Sequence, residues 1–151
     1  MNKLNFLKTE FPKLVSALSA DTKGEWGVLN AQQMVEHMAD SISFGTGNNN
    51  QKLHSPIESI GRFRDFAMSE KEFKPNTPNA LMPATPLPAI YSTVKESIVE
   101  YEKQIEAFIH YFESNKGATI TNPFFGDLNF DEWTHLLYKH AVHHAKQFGL
   151  L

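Results

Sequence analysis

The sequence predicts an all-α fold, a four-helix bundle, and three observations carry that reading. Apolar residues recur at three- and four-residue steps in four separate segments. Two of those segments open on an Asn followed three residues later by Gln or Glu, the pattern of a helix start with a capping box. No strand series and no internal repeat interrupts them. The one long irregular stretch, 74–88, has the length of a crossover between helices of a single domain spanning 1–151.

Residues 3–18 place Leu4, Leu7, Phe11, Leu14, Val15 and Leu18 on one helical face, and Pro12 predicts a kink or a join within it. A loop through Gly24 and Trp26-Gly27 precedes a second helix, from about Asn30 to Phe44. Asn30 is its expected cap and Gln33 the box partner, with Met34, His37, Met38, Ser41 and Ile42 facing inward. Gly45–Asn50 reads as a polar turn region, and Pro56 opens a short helix over 56–68 that carries Ile57, Ile60, Phe63 and Arg64. The stretch 74–88 holds five of the eight prolines, which excludes a regular helix or strand there. It is read as a crossover or as a wall over a site. Residues 89–113 form the longest predicted helix, with Ile90, Val94, Ile98, Tyr101, Ile105, Phe108, Ile109 and Phe112 inward. Lys95, Glu96, Glu100, Glu102, Lys103 and Glu106 make a solvated face. Thr119-Ile-Thr121 is expected to run extended. The last helix starts at the cap Asn129, with Asp131 and Glu132 in its first turn, and stops at Gly149.

In that last helix Trp133, Leu137, His140 and His144 share one stripe. A stripe that begins with Trp and Leu points into a core and carries two imidazoles with it. Histidines at i and i+4 stand about 6 Å apart along the axis, near enough to converge on one ion about 2.0–2.1 Å from each nitrogen. In a bundle the second helix can face the fourth, so His37 would complete a three-nitrogen set with an open position. Such an open position suits a catalytic ion, and its expected further ligand is water made more acidic by the metal. Zinc, nickel and iron all accept three imidazoles.

Gln33 and Asp40 flank His37 at helical spacing and can orient its ring, although Gln33 also serves as a cap partner and Asp40 can be solvated. Gln147, three residues after His144, can bond a ligand or a loop. His143 lies at the edge of the stripe, a weak catalytic candidate as a proton shuttle, an alternative ligand, or a residue that packs and bonds locally. His135 is expected on the opposite side, and neither it nor the partnerless His54 and His110 is assigned chemistry.

Composition narrows the function classes. Hydrophobic residues make up 41% and charged residues 21% of the 151, the balance of a soluble globular protein. A net charge of −3 and the lack of any basic run argue against a nucleic-acid binder. Zero cysteines leaves nitrogen and oxygen as the metal ligands and provides no thiol nucleophile. The N-terminus is amphipathic, without a signal peptide's apolar core, and no apolar run nears the roughly 18–20 residues that span a bilayer. The expected location is the cytoplasm, with no membrane partner.

Two stretches, Trp26-Gly27…Asn30-Ala-Gln-Gln33-Met34-Val-Glu-His37 and Asn122-Pro-Phe-Phe-Gly126…Glu132-Trp133…Lys139-His140…His143-His144…Gln147-Phe148-Gly149, resemble the DinB-like superfamily. The nearest likeness is to a bacterial branch known as a domain of unknown function, and it covers nearly the whole chain, loosely in the middle through Pro86-Leu-Pro88. It implies an up-down-down-up four-helix bundle with a three-histidine metal site, mapping onto His37, His140 and His144. Relatives of that kind include transferases and isomerases that use a low-molecular-weight thiol, whose thiolate the metal activates. No basic cluster marks a thiol-cofactor carboxylate here, since Lys139 and Lys146 are expected to flank the histidines without pointing inward. The function expected is a metal-dependent (thiol) S-transferase or hydrolase acting on a small molecule. The alternative is a non-catalytic scaffold or small-molecule binder, homodimeric through an exposed helix face.

Overall fold

The computed structural model describes residues 2–151 and is mostly helical. Helix α1 is composite: an α-helical turn Lys3–Asn5, a π-helical stretch Phe6–Glu10 and an α-helical stretch Phe11–Val15 follow without a break. The other helices are α2 (Ala31–Ser43), α3 (Ile57–Met68), α4 (Val94–Ser114) and α5 (Phe130–Gln147). Between α4 and α5 a small antiparallel hairpin pairs β1 (Ile120–Asn122) with β2 (Gly126–Leu128).

Pro12 explains the composite helix. It has no N–H to give, and its ring crowds the carbonyl four residues earlier. The turn before it is widened, so that the Phe11 N–H bonds the Phe6 carbonyl five residues back. The widened turn also changes the inward set: Phe6 joins Leu7, Phe11 and Val15 in the core, while Leu4 is only partly buried. The join expected at Pro12 is thus a π-turn.

The most extensive helix contact is α2 on α4; α5 packs on α1, α2 and α3, and α1 also touches α4. Met34, Met38 and Ile42 of α2 and Tyr101, Ile105 and Phe108 of α4 meet Trp133 and Leu137 of α5 in one core, each at most 2% exposed. Tyr101 also donates its hydroxyl hydrogen bond to the Leu7 carbonyl at 2.8 Å, tying α4 to the π-helical part of α1. Among the described residues no helix is long and apolar enough to cross a membrane.

Three expectations change. Helix α4 starts at Val94, capped by Thr93, and Ile90 is 80% exposed rather than inward. The backbone just before it is committed elsewhere: the Ile90 N–H bonds the Glu36 carboxylate at 2.6 Å, and Gln32 donates to the Tyr91 carbonyl. Helix α3 is peripheral, with Ile57 81% exposed and only Ala67 buried. The extended stretch at 119–121 grows into a hairpin whose loop is the Asn122-Pro-Phe-Phe-Gly126 motif. There Asn122 Oδ1 accepts from the amides of Phe124 (2.9 Å) and Phe125 (3.2 Å), and Gly126 takes φ +80° to close the turn.

Both capping boxes form. Asn129 Oδ1 accepts from the Glu132 amide at 3.0 Å, and the Asn129 amide donates to Glu132 Oε1 at 3.1 Å. At the far end Gly149 takes φ +68°, and the Leu150 amide reaches the Ala145 carbonyl at 2.8 Å in a Schellman turn. Asn129→Ala should therefore lower the free energy of unfolding by about 1 kcal/mol, and Asn129→Asp should recover most of it. Urea midpoints of the three proteins check this; equal losses in both variants would mean that the cap contributes through some other contact.

Candidate metal centre

Helix α2 brings one histidine and α5 brings two to a common point. His37 lies one residue before Met38 and three after Met34 on the inward side of α2, as expected from the spacing. His140 and His144 stand one turn apart on α5. The Nε2 atoms of His37 and His140 are 3.0 Å apart, and those of His140 and His144 are 2.9 Å apart. One ligand atom from each of the three residues lies within 4.8 Å of the others, close enough together to hold a metal ion.

The side chain of Gln147 sets the chemistry of this cluster. Its Nε2 donates to the Trp26 carbonyl at 2.9 Å, so its Oε1 is the atom facing His144 Nδ1 at 2.7 Å. His144 must then carry its proton on Nδ1, which leaves a lone pair on Nε2 directed at His140. A proton on His140 Nε2 can align with His144 or with His37, but not well with both. A cation satisfies all three lone pairs together.

Burial keeps these rings neutral. His37 is pulled down from its ordinary 6.5 to about 4, first by burial and then by repulsion from His143. His144 falls to about 3, mainly through burial and then through His37, partly offset by its bond to Gln147. His140 is lowered well below the ordinary value by burial and by the other imidazoles. Neutral rings with free lone pairs are the state a metal requires.

The loop that carries Trp26 is built against the end of α5. The Glu25 amide donates to the Gln147 carbonyl at 2.7 Å. A Cβ on Gly24 would lie 2.9 Å from the Gln147 side chain, and one on Gly27, at φ +79°, would lie 2.6 Å from its Nε2. Glycine is required at both places for the loop to come this close. This is the physical content of the Trp26-Gly27 motif, and it assigns Gln147 the second of its two expected roles, bonding a loop, together with orienting His144.

Gln33 acts as the cap partner of Asn30 and also donates to the Leu87 carbonyl at 2.9 Å, so it holds the Pro-rich crossover rather than His37. Asp40 is exposed and lines a small cavity of about 80 Å³ with Glu36, Tyr91 and Glu100. Partial burial of its carboxyl, then Glu36 and Glu100, raise its pKa. His143 donates from Nδ1 to the Phe73 carbonyl at 3.2 Å and meets Trp26 edge-on at 5.8 Å, the packing and bonding role among those open to it. Phe73, just before the Pro-rich stretch, stands edge-on to both His140 (6.4 Å) and His143 (6.3 Å).

Three residues, Lys139, His135 and His54, behave unlike their expectation. Lys139 is 8% exposed, and its Nζ donates to the carbonyls of Phe66, Ala67 and Ser69 at 2.9–3.0 Å. It closes the C-terminal end of α3, where a cation is favoured, and burial pulls its pKa down. His135 is buried on the next stripe, accepting from Lys3 Nζ at 2.7 Å on Nδ1 and donating from Nε2 to the Ser69 carbonyl at 3.1 Å. Lys146 does point outward and pairs with Glu72. His54, expected without a partner, lies edge-on to Phe124 at 6.0 Å. A larger groove of about 350 Å³ lies between α1 and α4, lined by Lys8, Lys13 and Glu102, and includes none of the three clustered histidines.

The lowered pKa values give a signed pH dependence for the metal-free protein. As pH falls below about 6.5 the unfolded chain takes up protons at these imidazoles and the folded protein does not, so stability is lost. The loss continues until pH passes through about 4 for His37 and about 3 for His144. Its slope reaches about 1.4 kcal/mol per pH unit for each such group. Urea unfolding of wild type and His144→Gln between about pH 7 and pH 4.5 isolates this part; parallel profiles would show the ring to be solvated. Comparison of the chain with family models, with curated proteins and with solved structures finds no match.

Proposed function

We propose that the protein is a divalent-metal-binding four-helix bundle of the DinB-like type, in which His37, His140 and His144 hold one ion and leave part of its coordination open. In this reading α1, α2, α4 and α5 are the bundle helices, and α3 rides on the crossover that joins the second to the third of them. The observation that carries it is the convergence of three Nε2 atoms, one of them held as a lone pair by Gln147. An all-imidazole set of this kind would suit nickel, iron or zinc.

An ion held by His37, His140 and His144 would supply Lewis acidity toward a small-molecule ligand. The chain's own residues do the rest. Gln147 orients His144 and leaves its Nε2 bare, burial favours the neutral form of all three imidazoles, and Phe73 packs edge-on to His140 while Trp26 packs edge-on to His143. The activity that fits is a metal-dependent S-transferase or hydrolase on a small substrate. A low-molecular-weight thiol is the cofactor suited to a chain that has no cysteine.

A second reading is a non-catalytic scaffold or small-molecule binder that forms a homodimer. It is favoured by the cavities of about 350 and 80 Å³, neither of which includes a clustered histidine, and by Phe73 leaning from the crossover onto His140.

Elemental analysis of protein purified without a histidine tag separates the two. Near-stoichiometric nickel, iron or zinc is expected in the wild type and should be lost in His37→Ala and His140→Ala. A wild type that holds no metal after reloading and dialysis would leave the scaffold. Gln147→Leu keeps every ligand but releases the His144 ring, and metal affinity should fall about 10–100-fold. Unchanged affinity in a competition titration would mean that Gln147 serves only the Trp26 loop.

A further inference from the structure

Among the described residues, one buried side-chain nitrogen or oxygen has no hydrogen-bond partner: the indole Nε1 of Trp26. Native interiors rarely leave such a donor unpaired, because its desolvation goes uncompensated. The other tryptophan shows the usual solution, with Trp133 Nε1 donating to the Ile120 carbonyl at 3.1 Å.

The place of Trp26 is informative. Its carbonyl is held by Gln147, the same side chain that orients His144. Its ring lies 5.8 Å from that of His143, which in turn is 5.1 Å from His144. Trp26 is therefore tied through its carbonyl to the side chain that orients His144, with the His143 ring between its indole and the cluster. The cluster itself contains three imidazoles and no carboxylate, so it brings no negative charge to balance a divalent ion. An exogenous anion is the natural complement on both counts.

We infer that Trp26 Nε1 is a binding-site donor for a small oxyanion, of the carboxylate or hydroxamate class, that ligates the metal held by His37, His140 and His144. The inference rests on the metal reading above and deepens it by naming the ligand class and the residue that recognises it. Trp26 is a binding residue here and takes no proton.

Trp26→Phe keeps an aromatic ring and deletes the N–H. The probe is acetohydroxamate, titrated into cobalt(II)-loaded protein and followed by visible absorption, with cobalt affinity measured separately. Loss of one hydrogen bond to a charged acceptor should weaken acetohydroxamate about ten-fold, with cobalt affinity unchanged. In zinc-loaded wild type the indole N–H resonance of Trp26, distinguished from Trp133 with Trp133→Phe, should move downfield as acetohydroxamate binds. That shift decides alone if Trp26→Phe does not fold. Equal acetohydroxamate affinity in both proteins, or an unmoved resonance, with cobalt or zinc bound, would assign the donor to water and overturn this inference while leaving the metal centre intact. A wild type that takes up neither ion would overturn the metal reading and the inference together.

Discussion

The hydrogen bond from His144 to Gln147 is the contact on which the centre depends. Gln147 has one acceptor and one donor end, and the Trp26 carbonyl takes the donor. The acceptor can then only receive the Nδ1 proton of His144, and the lone pair on the other ring nitrogen follows from that alone. Had the amide been free, the tautomer of His144 would have been free with it. The two glycines that let the Trp26 loop reach Gln147, Gly24 and Gly27, are therefore part of the same device, although they lie far away in the sequence.

Helix α5 performs two tasks on neighbouring stripes. His140 and His144 face α2 and carry the candidate ligands. His135, Lys139 and His143, at four-residue steps beside them, send N–H donors to main-chain carbonyls of Phe66, Ala67, Ser69 and Phe73. This second stripe fixes the end of α3 and the first part of the crossover, and so sets where Phe73 stands over the rings. The far end of the crossover is held from α2 by Gln32, Gln33 and Glu36. A connection rich in proline and without secondary structure is thus pinned at both ends by side chains from the two helices that carry the histidines.

The helices and the three clustered histidines were legible in the sequence because each rests on local rules. Asn30 with Gln33 and Asn129 with Glu132 mark starts, Gly149 marks a stop, and four-residue spacing places His140 and His144 together. What escaped depends on partners distant in the chain. Nothing near Lys139 in sequence announces that the carbonyls of Phe66, Ala67 and Ser69 will surround its ammonium. An isolated lysine on a helix reads as solvated. The inward turn of Phe6 needed the π-helical stretch, which shifts the helical phase by one residue. The hairpin was hidden because three-residue strands carry almost no periodic signal, although Asn122 and Gly126 gave its turn chemistry. Spacing could nominate Gln147, but not its choice between ligand and loop, and the structure makes it serve both.

The three imidazoles are an expense for the metal-free fold. Burial disfavours the protonated form of each, and two of their contacts bring nitrogen to nitrogen at 2.9–3.0 Å, where a single proton serves one contact well. An apolar residue at any of the three positions would carry no such conflict. The conflict is instead reinforced from outside, since Gln147 holds the one tautomer of His144 that cannot relieve it by donating. A partner that accepts lone pairs would relieve this conflict, and a cation is the simplest such partner.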